Sequence, residues 1–310
     1  MSGGTASSQR AGTGGWRLLT IVLPALWLVL FVAIPFAIVA KISLSEQALA
    51  RPPYKPAFDW GMGLAGFFER IRQFSFEAYR ILVEDGLYLQ AYLYSLGIAA
   101  IATALTLIVA YPFAYAIARA PRRWRGILLV LAIAPFWTSF LIRVYAWIAI
   151  LKDEGLLNHF LMSLGLISQP LHIYATPAAV LIGIVYTYLP FMILPVYNAI
   201  EKQDPALIEA ALDLGASRAS AFWRITVPLS AGGIAAGCLL VFIPSIGEFV
   251  IPDLLGSSSM LMVGRTLWDE FFQARNWPGA AAVAVVLLAL LAVPLALYLR
   301  MQKKTLERGA

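Results

Sequence analysis

The sequence predicts an all-α integral membrane protein with six transmembrane helices, and three observations carry the prediction. Of 310 residues, 61% are hydrophobic and 13% charged, about half the charged share of an ordinary soluble domain; mean hydropathy is +0.78. The apolar residues fall into six runs of spanning length, since about 20 consecutive apolar residues cross a bilayer core. Lys and Arg gather at alternate gaps between those runs, as the positive-inside rule expects.

Residues 1–16, MSGGTASSQRAGTGGW, are rich in Gly, Ser and Thr and read as a disordered tail. Leu18 to Ala40 is free of charge between Arg17 and Lys41, longer than the roughly 7–15 residues of a signal-peptide core, so it reads as a retained first span. Residues 42–88 form a long outer loop, and Gly63 to Asp85 within it carries the mixture of aromatics and charges that suits interfacial helices. Span two runs from Gly86 to Ala118 and stops at Arg119, Arg122, Arg123 and Arg125; span three, Gly126 to Leu151, holds Pro135 and Arg143. A short outer loop containing His159 and His172 precedes span four, Pro177 to Ile200. Span five runs from about Leu229 to Ile251 and span six from about Pro278 to Leu299, which leaves a membrane domain over 17–302 and a tail over 303–310.

Six spans put both termini on one side. On that side Lys and Arg number 13 against five acids, and the rest of the chain has ten bases against twelve acids, so the termini are expected to be cytoplasmic. The net charge of +6 belongs to this flanking pattern, and no aromatic-interleaved basic patch points to nucleic acid. One cysteine and two histidines leave neither a disulfide framework nor a metal site. There is no GxxxxGK[ST], HExxH or C-x-x-C sequence, so no catalytic residue, metal or cofactor is expected and no ATP hydrolysis by this chain.

The most informative stretch is polar: Glu201 to Pro228, EKQDPALIEAALDLGASRASAFWRITVP, lies between two spans. Asp204 before Pro205 is a helix start, Gly215 a helix end, and a second short helix is expected from about Ser217 to Thr226. Ala210 and Ala211 leave a small-residue face between Glu209 and Asp213 that another protein's backbone could approach closely. An amphipathic hairpin lying in the interface would also be polar here.

Glu209-Ala210-Ala211, Gly215, Ile225 and Pro228 resemble the EAA signature of permease subunits of ATP-driven (ABC) importers, with Val227 where Leu is usual. The resemblance implies the type I importer permease fold and a coupling helix in this loop, with Asp213 beside it, that seats in ATP-binding cassette ATPase subunits. PFWTSFLIRVYAWIAILKDEGLLN (Pro135–Asn158) and PSIGEFVIPDLLG (Pro244–Gly256) further resemble the polyamine branch of these permeases, closest to the putrescine permeases. That branch implies a second, different permease subunit, a periplasmic polyamine-binding protein and a multi-pass place among the lipids of a bacterial inner membrane. The alternative within the family is a permease for another small solute; an integral-membrane enzyme or a passive channel are the readings from other classes, of which the first lacks a cluster of catalytic groups and the second has no use for the docking loop.

Within the spans, Pro112, Pro135, Pro190, Pro195 and Pro244 each free a backbone carbonyl. Gly233 and Gly237 have GxxxG spacing, read as close helix packing. Glu248 lies about 20 residues, roughly 30 Å, along span five, with Asp253 beyond it, and Arg143 lies about 18 residues, or roughly 27 Å, along span three. Carboxylates at membrane depth face a cavity or a partner, so Glu248 is expected either to pair with Arg143 or to meet a cationic substrate. Trp137, Tyr145, Tyr186 and Tyr188 could line the same cavity, each cation–π contact contributing about 0.5–2 kcal/mol.

Overall fold

The structure, a computed structural model, describes residues 13–57 and 74–309. Helix α1 (Thr13–Leu28) passes through a π turn at Val29–Ala33 into α2 (Ile34–Ser43), so the first helix begins inside the stretch read as a tail; residues 1–12 lie outside the described residues. A two-stranded antiparallel ribbon follows, β1 (Glu46–Gln47) against β2 (Tyr54–Lys55). Of the interfacial helices expected over Gly63–Asp85, the part up to residue 73 falls outside the described residues; the rest contains α3 (Glu77–Glu84). Ser43 and Tyr79 share a hydrogen bond of 2.7 Å that ties α3 to the end of α2.

Two spans run as the apolar pattern predicts. Helix α4 (Gly86–Arg119) starts where the Asp85 carboxylate accepts from Leu87 N–H at 2.9 Å, a side-chain cap for an otherwise unpaired donor. Helix α8 (Pro177–Glu201) stays helical through Pro190 and Pro195. With α12 (Ala231–Ile246) these two form the centre of the bundle. The glycines of α12 make that packing possible: a Cβ at Gly233 would strike the Pro195 carbonyl oxygen, and one at Gly237 would lie 2.5 Å from Met192 Sδ. Small residues bring the backbones together here, as the GxxxG spacing predicts.

Spans three and five differ from the expectation of continuous helices. In place of one helix over Gly126–Leu151 there is α5 (Arg122–Ile133), a 3₁₀ turn at Ala134–Trp137, and α6 (Phe140–Leu151), with α7 (Leu156–Ser163) beyond. The two limbs meet at 89°. Pro135 removes one donor, and the Thr138 hydroxyl donates to the Pro135 carbonyl at 2.8 Å while Thr138 and Ser139 are extended; a side chain that serves the backbone locally competes with the helix. Before span five, α10 (Arg218–Ala221), a π turn at Phe222–Thr226 and α11 (Val227–Leu229) meet α12 at 63°, where the Ser230 hydroxyl donates to the Val227 carbonyl at 2.9 Å, so this bend falls at the expected start of the span. Helix α12 ends at Ile246, and α13 (Val250–Leu255) resumes after a three-residue break. Helix α14 (Val263–Trp268) and a π turn at Asp269–Gln273 precede α15 (Trp277–Gly309), which packs on α2 and continues through the stretch read as a C-terminal tail. Among the described residues four helices are long and apolar enough to cross a membrane, six if each bent pair is one span.

Candidate functional sites: a docking hairpin and a buried break

The polar loop folds as two short helices around a glycine. Helix α9 (Pro205–Asp213) starts at Asp204, whose carboxylate accepts from Ala206 N–H at 3.0 Å, with Pro205 in the first turn. At the other end Gly215 has φ +84°, and Ala216 N–H reaches back to the Ala211 carbonyl at 3.0 Å. That closure needs a left-handed residue, which glycine adopts without steric cost. Ser217 then caps α10 by accepting from Ser220 N–H at 3.2 Å. Glu209, Ala210 and Asp213 are exposed, Ala211 and Ile225 half-buried, and Pro228 exposed. Leu214 is 89% exposed at the tip, with Leu207 and Trp223 also uncovered, so the hairpin presents apolar side chains as well as acids.

Its base is fastened to the bundle. The Gln203 amide donates to the Thr226 carbonyl at 2.9 Å, joining the entering and leaving strands of the loop. Phe222 meets the rings of Tyr111 and Tyr115 edge-on at 5.7 and 5.4 Å, and Tyr111 and Ser230 share a hydrogen bond of 3.0 Å. Arg125 pairs with Glu201 at 3.2 Å, placing the arginine-rich turn between α4 and α5 beside the hairpin, at the same end of the bundle.

The second arrangement lies in the break between α12 and α13. Glu248 is 9% exposed there. Its carboxylate accepts from the Tyr188 hydroxyl at 2.6 Å and from Val250 N–H at 3.2 Å, so it caps α13 and is held by α8 at once. The break fits against α14 because residue 264 is glycine: a Cβ there would be 2.5 Å from the Gly247 carbonyl oxygen and 2.6 Å from that of Glu248.

Arg143 does not pair with Glu248. It is 8% exposed, its Nε and one terminal nitrogen have no hydrogen-bond partner, and its guanidinium lies over the rings of Phe136 at 4.9 Å and Phe140 at 5.8 Å. Phe136 meets Phe191 edge-on at 5.1 Å, and Phe191 is 6.1 Å from Tyr188, so a row of aromatic rings separates the two buried charges. The expectation of an ion pair treated spans three and five as continuous helices and compared heights along them; the 89° bend and the break at Gly247–Phe249 remove that basis.

The other pathway candidates are not gathered round Glu248. Trp137 is 76% and Tyr145 57% exposed, both at the chain's surface. Tyr186 packs edge-on against Trp147 at 5.4 Å, and Asp253 lies 3.7 Å from Arg265. Sequence reasoning found Tyr188 and passed over Phe136, Phe191 and Gly264. Phe136 was legible as the neighbour of Pro135 in the bend; Phe191 and Gly264 act through contacts between distant segments.

The chain matches the family model of the binding-protein-dependent transport system inner membrane component over residues 110–306. It is 41% identical over 288 residues to the spermidine/putrescine transport system permease protein PotB of Salmonella typhimurium (strain SL1344), covering 93% of this chain and 94% of that protein. To the protein of the same name in Escherichia coli (strain K12) it is 42% identical over 274 residues, covering 88% and 93%. Among solved structures it superposes on a chain of a bacterial ABC transporter involved in the import of the acidic polysaccharide alginate with a TM-score of 0.67 at 16% identity, covering 93% of this chain and 96% of that one; the likeness is one of fold. With the bent six-span bundle and the fastened hairpin, these findings make the chain a member of the binding-protein-dependent transport system inner membrane components, the permease subunits of ABC importers.

Proposed function

We propose that this permease serves a polyamine importer, forming half of a translocation pathway with a second, different permease and docking through Glu209–Gly215 on a cytoplasmic ATPase. The observation that carries the substrate class is the 41% identity, spread over 93% of the chain, to a protein named for spermidine and putrescine. The hairpin supports the mode of coupling. Its exposed Leu207, Leu214 and acids offer a surface for another protein, while Phe222, Gln203 and Ser230 connect that surface to α4 and α12. A push on α9 is thereby delivered to the bundle centre. Glu248, closed by Tyr188 and capping α13, is the carboxylate a passing ammonium group would compete for. A periplasmic binding protein delivers the amine, and both termini face the cytoplasm.

Reconstituting the permease pair with its ATPase and binding protein, and measuring hydrolysis as the binding protein is loaded with putrescine, spermidine, an amino acid or a sugar, tests the substrate class. Stimulation by the polyamines alone is expected. Equal stimulation by an uncharged solute would overturn the polyamine reading and leave the family assignment standing.

A further inference from the structure

Where the last span begins, residues Ala50–Pro53 of the first loop and Phe271, Phe272, Arg275 and Trp277 enclose a cavity of about 420 Å³, within the size range of small-ligand pockets. Arg51 and Arg275 both line it, both are exposed, and neither has a hydrogen bond or ion pair among the described residues. No carboxylate of a described residue is in the lining. The acids nearest Arg275 in sequence are engaged: Asp269 accepts from the Gln273 amide, and Glu270 accepts from the Tyr88 hydroxyl at 2.7 Å and the Asn276 amide at 2.9 Å. Arg275 itself has φ +51°, and Asn276 N–H closes the turn on the Glu270 carbonyl at 2.8 Å. A left-handed position that ends a helix is usually glycine, so an arginine is held here against its backbone preference.

The walls are aromatic. Phe271 stacks on Trp277 at 4.9 Å and 8°, and Phe272 lies 4.1 Å from Trp268 by ring centroids. Phe272 and Trp268 remain exposed. Aromatic rings at the end of a span mark the headgroup level of a bilayer.

We propose that this cavity binds the phosphodiester of an anionic phospholipid at the membrane–water interface. Two guanidinium groups lining one cavity with no carboxylate among its described residues repel each other until an anion lies between them, and the planar guanidinium fork matches phosphate oxygens. Free phosphate shares that chemistry but gains nothing from exposed rings. An acidic face of a soluble partner would answer the charge and leave the exposed surfaces of Phe272 and Trp268 in water; a lipid answers both. The bound headgroup would clamp the first loop to the start of α15.

The test uses the assembled transporter, delipidated in detergent, with retained lipid counted by native mass spectrometry after addition of phosphatidylglycerol, phosphatidylcholine or inorganic phosphate. Wild type should retain phosphatidylglycerol over phosphatidylcholine, and Arg51→Gln with Arg275→Gly should lower that retention about tenfold, the loss of one charge-assisted contact or more. Arg275→Gly suits the turn, so the variant removes charge without straining the backbone. Unchanged retention in the double variant would overturn the proposal. So would equal thermal protection by inorganic phosphate alone, which would make the site one for free anions. Unchanged lipid retention with loss of binding-protein-stimulated hydrolysis would assign the surface to the soluble partner instead.

Discussion

Glu248 sits in a break between two helices, and that placement determines what its carboxylate does at rest. One oxygen holds the Tyr188 hydroxyl and the other the first free N–H of α13. Glu248→Ala should therefore cost about 1 kcal/mol for the lost cap and as much again for the stranded hydroxyl, lowering the thermal midpoint of the purified complex. Glu248→Gln keeps an acceptor for Val250 N–H and should retain most of the stability. Because Arg143 is separated from Glu248 by rings, Arg143→Gln should not rescue any defect of Glu248→Gln: the coupling energy from the double-mutant cycle should stay under about 0.5 kcal/mol. Restoration of abundance in the double variant would mean that the two charges pair after all. The acid and the arginine were legible as anomalies in apolar runs; their separation was not, since it depends on Phe136 and Phe191 coming from two bent or distant segments.

Among the elements, the polar hairpin was the most legible because its signals are local. Asp204 with Pro205 and then Gly215 specify a start and a stop within twelve residues, and the structure has the cap and the positive φ where those residues predict them. Gly215→Val should strain that end by about 1–2 kcal/mol, because a β-branched residue resists the left-handed region. Co-purification of the ATPase should fall in Gly215→Val and in Glu209→Lys while the permease remains in the membrane. Wild-type co-purification in both would remove the hairpin from coupling. The helices of spans two and four were equally plain, since charge-free runs bounded by Asp85 and Arg119, and by Pro177 and Glu201, leave one interpretation. Spans three and five were not. Thr138 and Ser230 are unremarkable in a hydropathy pattern, yet each donates its hydroxyl to a nearby carbonyl at the bends of 89° and 63°.

At the scale of the molecule, the ends of the bundle are defined by contacts that hydropathy cannot supply. The Arg125–Glu201 pair and the Phe222 ring cluster lie at the hairpin end, and Asn158, which holds Leu171 N–H at 2.8 Å and its carbonyl at 3.0 Å, orders the loop that follows span three. The first span, Thr20–Ser43, has none of its most apolar stretch buried by the rest of the chain, leaving that surface to lipid or to other subunits. The proposed orientation is open to a labelling experiment in a Cys238→Ser background. A cysteine at exposed Ser163 should react with a membrane-impermeant thiol reagent from outside, and one at exposed Ala219 only after permeabilisation; the reverse pattern would invert the topology. The central claim, a polyamine importer driven by an ATPase through this hairpin, is tested most directly by uptake of labelled putrescine into proteoliposomes carrying the complete complex. ATP-dependent uptake is predicted with the wild-type permease, falling at least tenfold with Gly215→Val at equal permease content. Putrescine uptake that is independent of ATP, or unchanged by Gly215→Val, would contradict it.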